Sequence, residues 1–473
     1  MTEAPRPESI RGNPRAPWLA VGVVCFGAFM GQLDASVVTL TFRPMERAFT
    51  APLAAVQWVS LAYLLVLVAL VTPAGRLADG VGRKLIYTYG FVVFTLGSAA
   101  CGLAPSLTIL IMCRLVQAAG AAMLQANSVA LVTTSVPAGR MRLALSIQAA
   151  AQSVGLALGP TLGGLLTQTV GWRAVYWINV PVGIAAVIAG RYLLPRTRHL
   201  SRADSFDWLG AALLAVATTA LLVALSVIAG LPAPGWLTVM LAVIALASAA
   251  AFAARQRSAR FPLIPRALLL SARLPLGLAG AFLGYLVLFG PLVLVPQLLD
   301  GHGNAVRTGL ILSALPVGFG LAALTAESLF PAAVPNRIRG CVGAAVSAAG
   351  LIMLIFVARS TAGIAVLLGL TGLGLGLFVP ANNAVIMRSG TASSAAVLGG
   401  LVSMARGIGT TFGIALVTLA LHLGGTSDGS LAVAVLAAAA AGAALIAMTI
   451  SPLYSGRPQA VARQAAEHSS VFS

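Results

Sequence analysis

Two ionisable side chains stand inside long apolar runs of this 473-residue sequence: Asp34, in the run that starts at Trp18, and Arg114, in Leu110-Ile111-Met112-Cys113-Arg114-Leu115-Val116-Gln117. A charge held in hydrocarbon costs at least ~2.5–3.5 kcal/mol, so such a group faces a partner or a water-filled cavity. Asp34 is about six residues from the far end of its run and Arg114 about eight residues into its own. At ~1.5 Å per helical residue both lie roughly 9–12 Å below the same boundary and can meet. The pair has two readings. One is a fixed structural ion pair. The other is a proton-coupling acid, whose neutral form is favoured by burial and whose ionised form is favoured by the guanidinium, so that a change in surroundings moves the proton.

Other polar residues at membrane depth are weaker candidates for a substrate cavity. Gln117, Gln152, Gln297, Asn382 and Asn383 can line a cavity or bond one helix to another, and the second use is the commoner one. Arg406 lies near mid-depth in Arg406-Gly407-Ile408-Gly409, where snorkelling is difficult. It reads equally as a structural group or as one that pairs across a cavity or draws anionic ligands. Glu327 falls close to the inner end of its run, where pairing with Arg337 or Arg339 is the simpler role and a second proton site the alternative.

The elements that position these groups are membrane helices. With 59% hydrophobic and 8% charged residues the chain cannot build a water-soluble surface, and a span needs roughly 20 apolar residues. Fourteen apolar segments occur, near 18–40, 53–75, 85–104, 106–132, 141–168, 173–194, 207–229, 235–254, 274–299, 306–330, 339–358, 361–387, 394–422 and 430–452. The run after Met1–Pro17 is too long for a signal-peptide core and reads as a retained span. Of 29 basic residues, 22 fall in the tails and even-numbered connections and five in the others, which predicts cytoplasmic termini in an inner (plasma) membrane. The expected organisation is a cytoplasmic tail (1–17), a six-helix bundle (18–194), a linker with two extra spans (195–273), a second six-helix bundle (274–452) and a cytoplasmic tail (453–473). It is an all-α polytopic architecture of two repeats, a plan used by transporters that rock about a midplane site.

Several function classes are excluded. The net charge of +18 is spread between apolar runs rather than gathered on a soluble face, which argues against nucleic acid. Cys25, Cys101, Cys113 and Cys341 have no metal-ligand or CxxC spacing and read as packing residues. No HExxH or P-loop pattern occurs, and no soluble domain remains to hold an enzyme. No cofactor and no metal are expected.

Two strings narrow the class. The connection after the second segment, Gly75-Arg76-Leu77-Ala78-Asp79-Gly80-Val81-Gly82-Arg83-Lys84, offers glycines for a tight turn and basic residues for the cytoplasmic surface. It resembles the GxLaDrxGrk signature of the major facilitator superfamily, which implies that Gly75, Asp79, Gly82, Arg83 and Lys84 act in conformational change. In the fifth segment, Gly155-Leu156-Ala157-Leu158-Gly159-Pro160-Thr161-Leu162-Gly163-Gly164 sets small residues at four-residue intervals on one face, with a proline that opens the ladder. It reads as a packing face, and it resembles the gxxxGPxxGG antiporter signature of that superfamily's exporters, placing Gly155, Gly159, Pro160, Gly163 and Gly164 in it. Leu33 to Val38 resemble the LDxTIV signature of the fourteen-spanning drug/proton antiporter branch, with Ser36 for threonine, and the branch pattern departs at Thr39 and Pro44. The run around Arg114 is similar to lxxxRxxqGxg, with Ala118 for glycine, and the resemblance implies a role in proton transfer.

The implied function is a multidrug or antibiotic exporter, a monomer in the lipid bilayer, that exchanges protons for amphipathic small molecules by alternating access. The alternatives are a dedicated exporter of one metabolite, lipid or amino acid, and a receptor that binds without translocating.

Overall fold

The computed structural model describes residues 13–137, 140–196, 207–259, 262, 273–299, 305–329, 334–357, 360–387, 395–424 and 429–449. Its long elements are all helices, the secondary structure that satisfies every backbone donor and acceptor within one segment when no water is at hand. They are α1 (Ala16–Val37), α2 (Trp58–Val81), α3 (Arg83–Leu103), α4 (Leu107–Ser135), α5 (Met141–Thr169), α6 (Asn179–Leu193), α7 (Trp208–Ile228), α8 (Gly235–Ser258), α9 (Arg273–Leu298), α10 (Ala305–Leu329), α11 (Asn336–Val357), α12 (Thr361–Met387), α13 (Ala395–Gly424) and α14 (Ser430–Thr449). Every apolar segment of the sequence overlaps one of them.

Thirteen helices among the described residues are long and apolar enough to cross a membrane. The other long helix, α5, has 29 residues and carries Gln148, Gln152 and the glycine string. It packs between α1 and α10.

Within the first half α1 packs on α5 and α4, α4 on α2 and α3, and α6 on α3 and α1. In the second half α12 packs on α10, α11 and α9, and α14 on α11, α9 and α13. The halves meet along two seams, α5 against α10 and α2 against α13.

The extra pair lies beside the second seam. α7 packs on α8, α13 and α2, whereas α8 packs chiefly on α7 and buries almost none of its surface. Exposed Trp236, Val239 and Leu246 on α8 are what a lipid-facing helix presents. Asp207 caps α7 by accepting from the Gly210 amide at 2.9 Å and from Arg255 Nε of α8 at 2.9 Å, which closes the hairpin. At its other end Ser226 Oγ accepts from Gln57 Nε2 and from Trp58 Nε1, each at 3.1 Å, and ties α7 to the start of α2. Between these ties Leu65 and Val68 of α2, Leu214 and Thr218 of α7, and Met404 and Ile408 of α13 line an apolar crevice of ≈ 190 Å³.

Two local features differ from the sequence expectation. The stretch from Gly75 is not a loop: α2 continues to Val81, and the turn is confined to Gly82, at φ 127°, before Arg83 opens α3. Leu77 and Ala78 sustain the helix, and only glycine takes that φ without strain. So short a turn also draws Lys84 into the packing, leaving it 3% exposed instead of at the surface.

Candidate functional site

Asp34 lies one turn before the end of α1, where a short 3-10 segment, Val38–Thr41, takes over. No part of its side chain reaches solvent. Arg114, 1% exposed, projects from α4 and places Nη1 2.7 Å from Asp34 Oδ2. The same Nη1 donates to Gln117 Oε1 at 2.7 Å, and Nε donates to the Val59 carbonyl of α2 at 3.0 Å. The guanidinium also stacks over the Tyr63 ring, with its carbon 4.0 Å from the centroid, and Tyr176 faces it at 5.8 Å.

The second carboxylate oxygen is equally occupied. Asp34 Oδ1 accepts from Gln117 Nε2 at 3.0 Å and from Asn179 Nδ2, at the start of α6, also at 3.0 Å. Asn179 Nδ2 further reaches Ser98 Oγ of α3 at 3.1 Å, and Ser98 donates to the Tyr176 carbonyl at 2.9 Å. Five long helices, α1 to α4 and α6, thus converge on one carboxylate that accepts three hydrogen bonds. Removing one partner of a buried ion pair costs about 3–5 kcal/mol, because the other charge is left uncompensated. This cluster ties the helices of the first half together.

The predicted meeting of Asp34 and Arg114 is therefore present. Gln117, three residues past Arg114, shares that residue's helix face and bonds from α4 to Asp34 of α1, the interhelical use of a membrane amide. Asn179 and Ser98 were not singled out as site residues. Their signal in the sequence is faint, a polar residue at a helix start and a serine in a span, and nothing in a single sequence pairs either with Asp34.

The glycine string on α5 is the surface that approaches Asp34's helix. A Cβ on Gly155 would meet the Phe29 carbonyl, and one on Gly159 would collide with Ser36 Oγ and stand 2.7 Å from Ser36 Cβ. One on Gly163 would come within 2.9 Å of the Val37 carbonyl. Gly164 is buried next to them. The other side of α5 serves the second half: Gly309 of α10 lies against the Pro160 carbonyl, and Thr161 Oγ1 and Ser313 Oγ share a hydrogen bond of 2.7 Å. One helix therefore links the carboxylate's helix to the opposite half.

The remaining candidates are dispersed. Asn382 Nδ2 donates to the Gly277 carbonyl at 2.8 Å, a bond from α12 to α9, and Gly277 and Gly280 let α9 come close. Gln297 is buried with Oε1 unpartnered, Asn383 Oδ1 is also unpartnered, and Gln152 is half-buried. Arg406 stacks on Tyr285 of α9 with its carbon 4.4 Å from the ring centroid. Gly75 lies inside α2 and Arg83 opens α3 after the turn at Gly82, while the side chains of Asp79 and Glu327 lie outside the described residues. Among the described residues no cluster of His, Cys, Asp and Glu could hold a metal.

Comparison with known proteins places the chain among transporters. The chain is 33% identical over 397 residues to the multidrug resistance protein Stp of Mycobacterium tuberculosis, covering 82% of this chain and 73% of Stp. It is 33% identical over 416 residues to the tetracenomycin C resistance and export protein of Streptomyces glaucescens, covering 86% of this chain and 76% of that protein. Its fold is similar to that of a POT family transporter crystallised with 5-aminolevulinic acid, at a TM-score of 0.66 and 12% identity, covering 91% of this chain and 96% of that one. Residues 24–414 match the Major Facilitator Superfamily. This chain is a membrane transporter, not an enzyme, and belongs to the Major Facilitator Superfamily.

Proposed function

We propose that the protein is a proton-coupled antiporter that exports amphipathic small molecules by alternating access, acting as a monomer in the inner (plasma) membrane with both termini cytoplasmic. The observation that carries the reading is Asp34, fully buried and held by Arg114, Gln117 and Asn179 on a helix that α5 joins to the opposite half. The relatives' names, a multidrug resistance protein and an antibiotic export protein, favour export.

Residues 18–194 and 274–452 move as the two rocking units, with the pair in 195–273 alongside. A proton reaching Asp34 neutralises the charge that Arg114, Gln117 and Asn179 hold in place. The ion pair then loosens, α1 is freed to shift against the Gly155, Gly159 and Gly163 face, and α5 carries the shift to α10 at Pro160 and Thr161. The α2–α3 turn, with Gly75, Asp79, Gly82, Arg83 and Lys84, is the hinge at the cytoplasmic side. Substrate and proton must each favour different arrangements, or neither drives the other.

The test is transport by purified protein in proteoliposomes under an imposed pH gradient. Asp34→Asn abolishes gradient-driven efflux while leaving substrate binding in place; undiminished efflux by that variant defeats the proposal. A second reading follows from the relative named for tetracenomycin C: a dedicated exporter of one compound. A ligand-stability screen separates the two, since one ligand raising the melting temperature far above all others marks the dedicated exporter.

A further inference from the structure

In the second half one described cation, Arg406, stands at mid-depth with no acid beside it among the described side chains. Arg406 is eleven residues into the thirty-residue helix α13, roughly 17 Å from its start at ~1.5 Å per residue. The acids whose side chains are described are engaged elsewhere: Asp34 by Arg114, Glu46 by Arg43 and Asp207 by Arg255. Glu327 is two residues from the end of α10, only ~3 Å of rise from that helix's end, at a different depth.

What surrounds Arg406 is built rather than incidental. Gly409 and Gly413 leave room for α9 to press against α13, where a Cβ would meet the Phe282 and Leu286 carbonyls. That approach places Tyr285 under the guanidinium and sets Phe282 edge-on to Phe412 at 5.6 Å. The stack fixes the plane of the guanidinium, yet Nε is buried without a hydrogen-bond partner while part of the side chain remains accessible. An unpaired N–H of a desolvated cation is costly, and the edge formed by Nε and one terminal nitrogen matches the two oxygens of a carboxylate.

Resting on the reading of the chain as an exporter, we propose that Arg406 and Tyr285 form an anion-recognition site that selects substrates bearing an acidic group, a carboxylate above all, on an apolar or aromatic body. The acidic oxygens occupy the Nε edge of Arg406, and the body lies against Tyr285, Phe282 and Phe412. This assigns a charge class to the cargo and separates the cargo-binding arginine from Arg114, which serves the acid in the other half. Arg406 is a binding residue, and Tyr285 positions it.

The experiment measures equilibrium binding to the full chain in lipid nanodiscs at neutral pH, with 2-naphthoate and 2-naphthamide as probes matched in size. Wild type binds the acid about ten- to a hundredfold more tightly than the amide, the range of a charge-assisted hydrogen bond. Arg406→Gln removes the preference; Arg406→Lys, which keeps the charge but not the fork, reduces it and is the deciding arm should the glutamine variant not fold. Glu327→Gln leaves the preference intact. Asp34→Asn also leaves it intact while losing gradient-driven transport, so failure of the coupling scheme and failure of this site read out separately. Equal binding of acid and amide by wild type, binding of neither, or an undiminished preference in the Arg406 variants overturns the proposal.

Discussion

Replacing Gly159 by alanine adds a single methyl group where α1 and α5 have no room for it. The new Cβ would collide with Ser36 Oγ and stand 2.7 Å from Ser36 Cβ and 3.1 Å from the Val37 amide nitrogen. Rotating the serine hydroxyl removes only the first clash; it would also surrender the bonds from Ser36 Oγ to the Gln32 and Leu33 carbonyls, at 2.9 and 3.2 Å. The helices must part instead, by something near an ångström, and Asp34 rides on the part of α1 that moves. Its contacts at 2.7 and 3.0 Å tolerate little of that displacement. Overpacking of this kind costs about 1–3 kcal/mol. Gly159→Ala therefore lowers the unfolding temperature in detergent, followed by tryptophan fluorescence, and slows gradient-driven efflux in proteoliposomes. Adding Ser36→Gly, which removes the obstructing Cβ, restores both, whereas Ser36→Ala restores little because its Cβ remains. A Gly159→Ala protein as stable and active as wild type, or one that Ser36→Gly fails to rescue, refutes the reasoning.

Two further outcomes follow from single hydrogen-bond groups. Asn179→Ala takes one of two donors from Asp34 Oδ1 and leaves Ser98 Oγ without it, a loss of about 1–3 kcal/mol that thermal unfolding reads as a clear destabilisation, with Asn179→Gln no full substitute. Ser226→Ala strips the acceptor shared by Gln57 and Trp58, so α7 loosens from α2: cysteine cross-linking between Leu65 and Leu214 across the crevice falls in yield, and an unchanged yield contradicts the tie.

Much of this was legible in the sequence for physical reasons. A membrane helix must be about twenty apolar residues long, so the fourteen runs stand out, and their ends agree with the helices to within a few residues except where α2 continues from Gly75 to Val81. There the glycines and charges suggested a loop, but Leu77 and Ala78 keep the helix going and the break falls at Gly82 alone. Asp34 and Arg114 were conspicuous because charge in hydrocarbon is costly. Asn179 and Ser98 were not, since a neutral amide and a hydroxyl cost less and their partner lies on a distant helix. The place of α7 and α8 was equally hidden: both are apolar nearly all round, and such helices carry no stripe to say which neighbour they take. Arg406 was visible as a charge, but its stack on Tyr285 depends on the approach of α9 to α13.

The protonation of Asp34 in two conformations bears most directly on the coupling scheme. Cysteines at Thr161 and Ser313, whose hydroxyls are 2.7 Å apart, allow the α5–α10 seam to be locked as seen here and then released by a reductant. Infrared difference spectroscopy, with Asp34→Asn as the blank, should find a carboxylate in the locked protein and the carbonyl band of a neutral carboxylic acid after release in the presence of an inward pH gradient. An unvarying carboxylate band, locked or released, would contradict proton coupling at this residue.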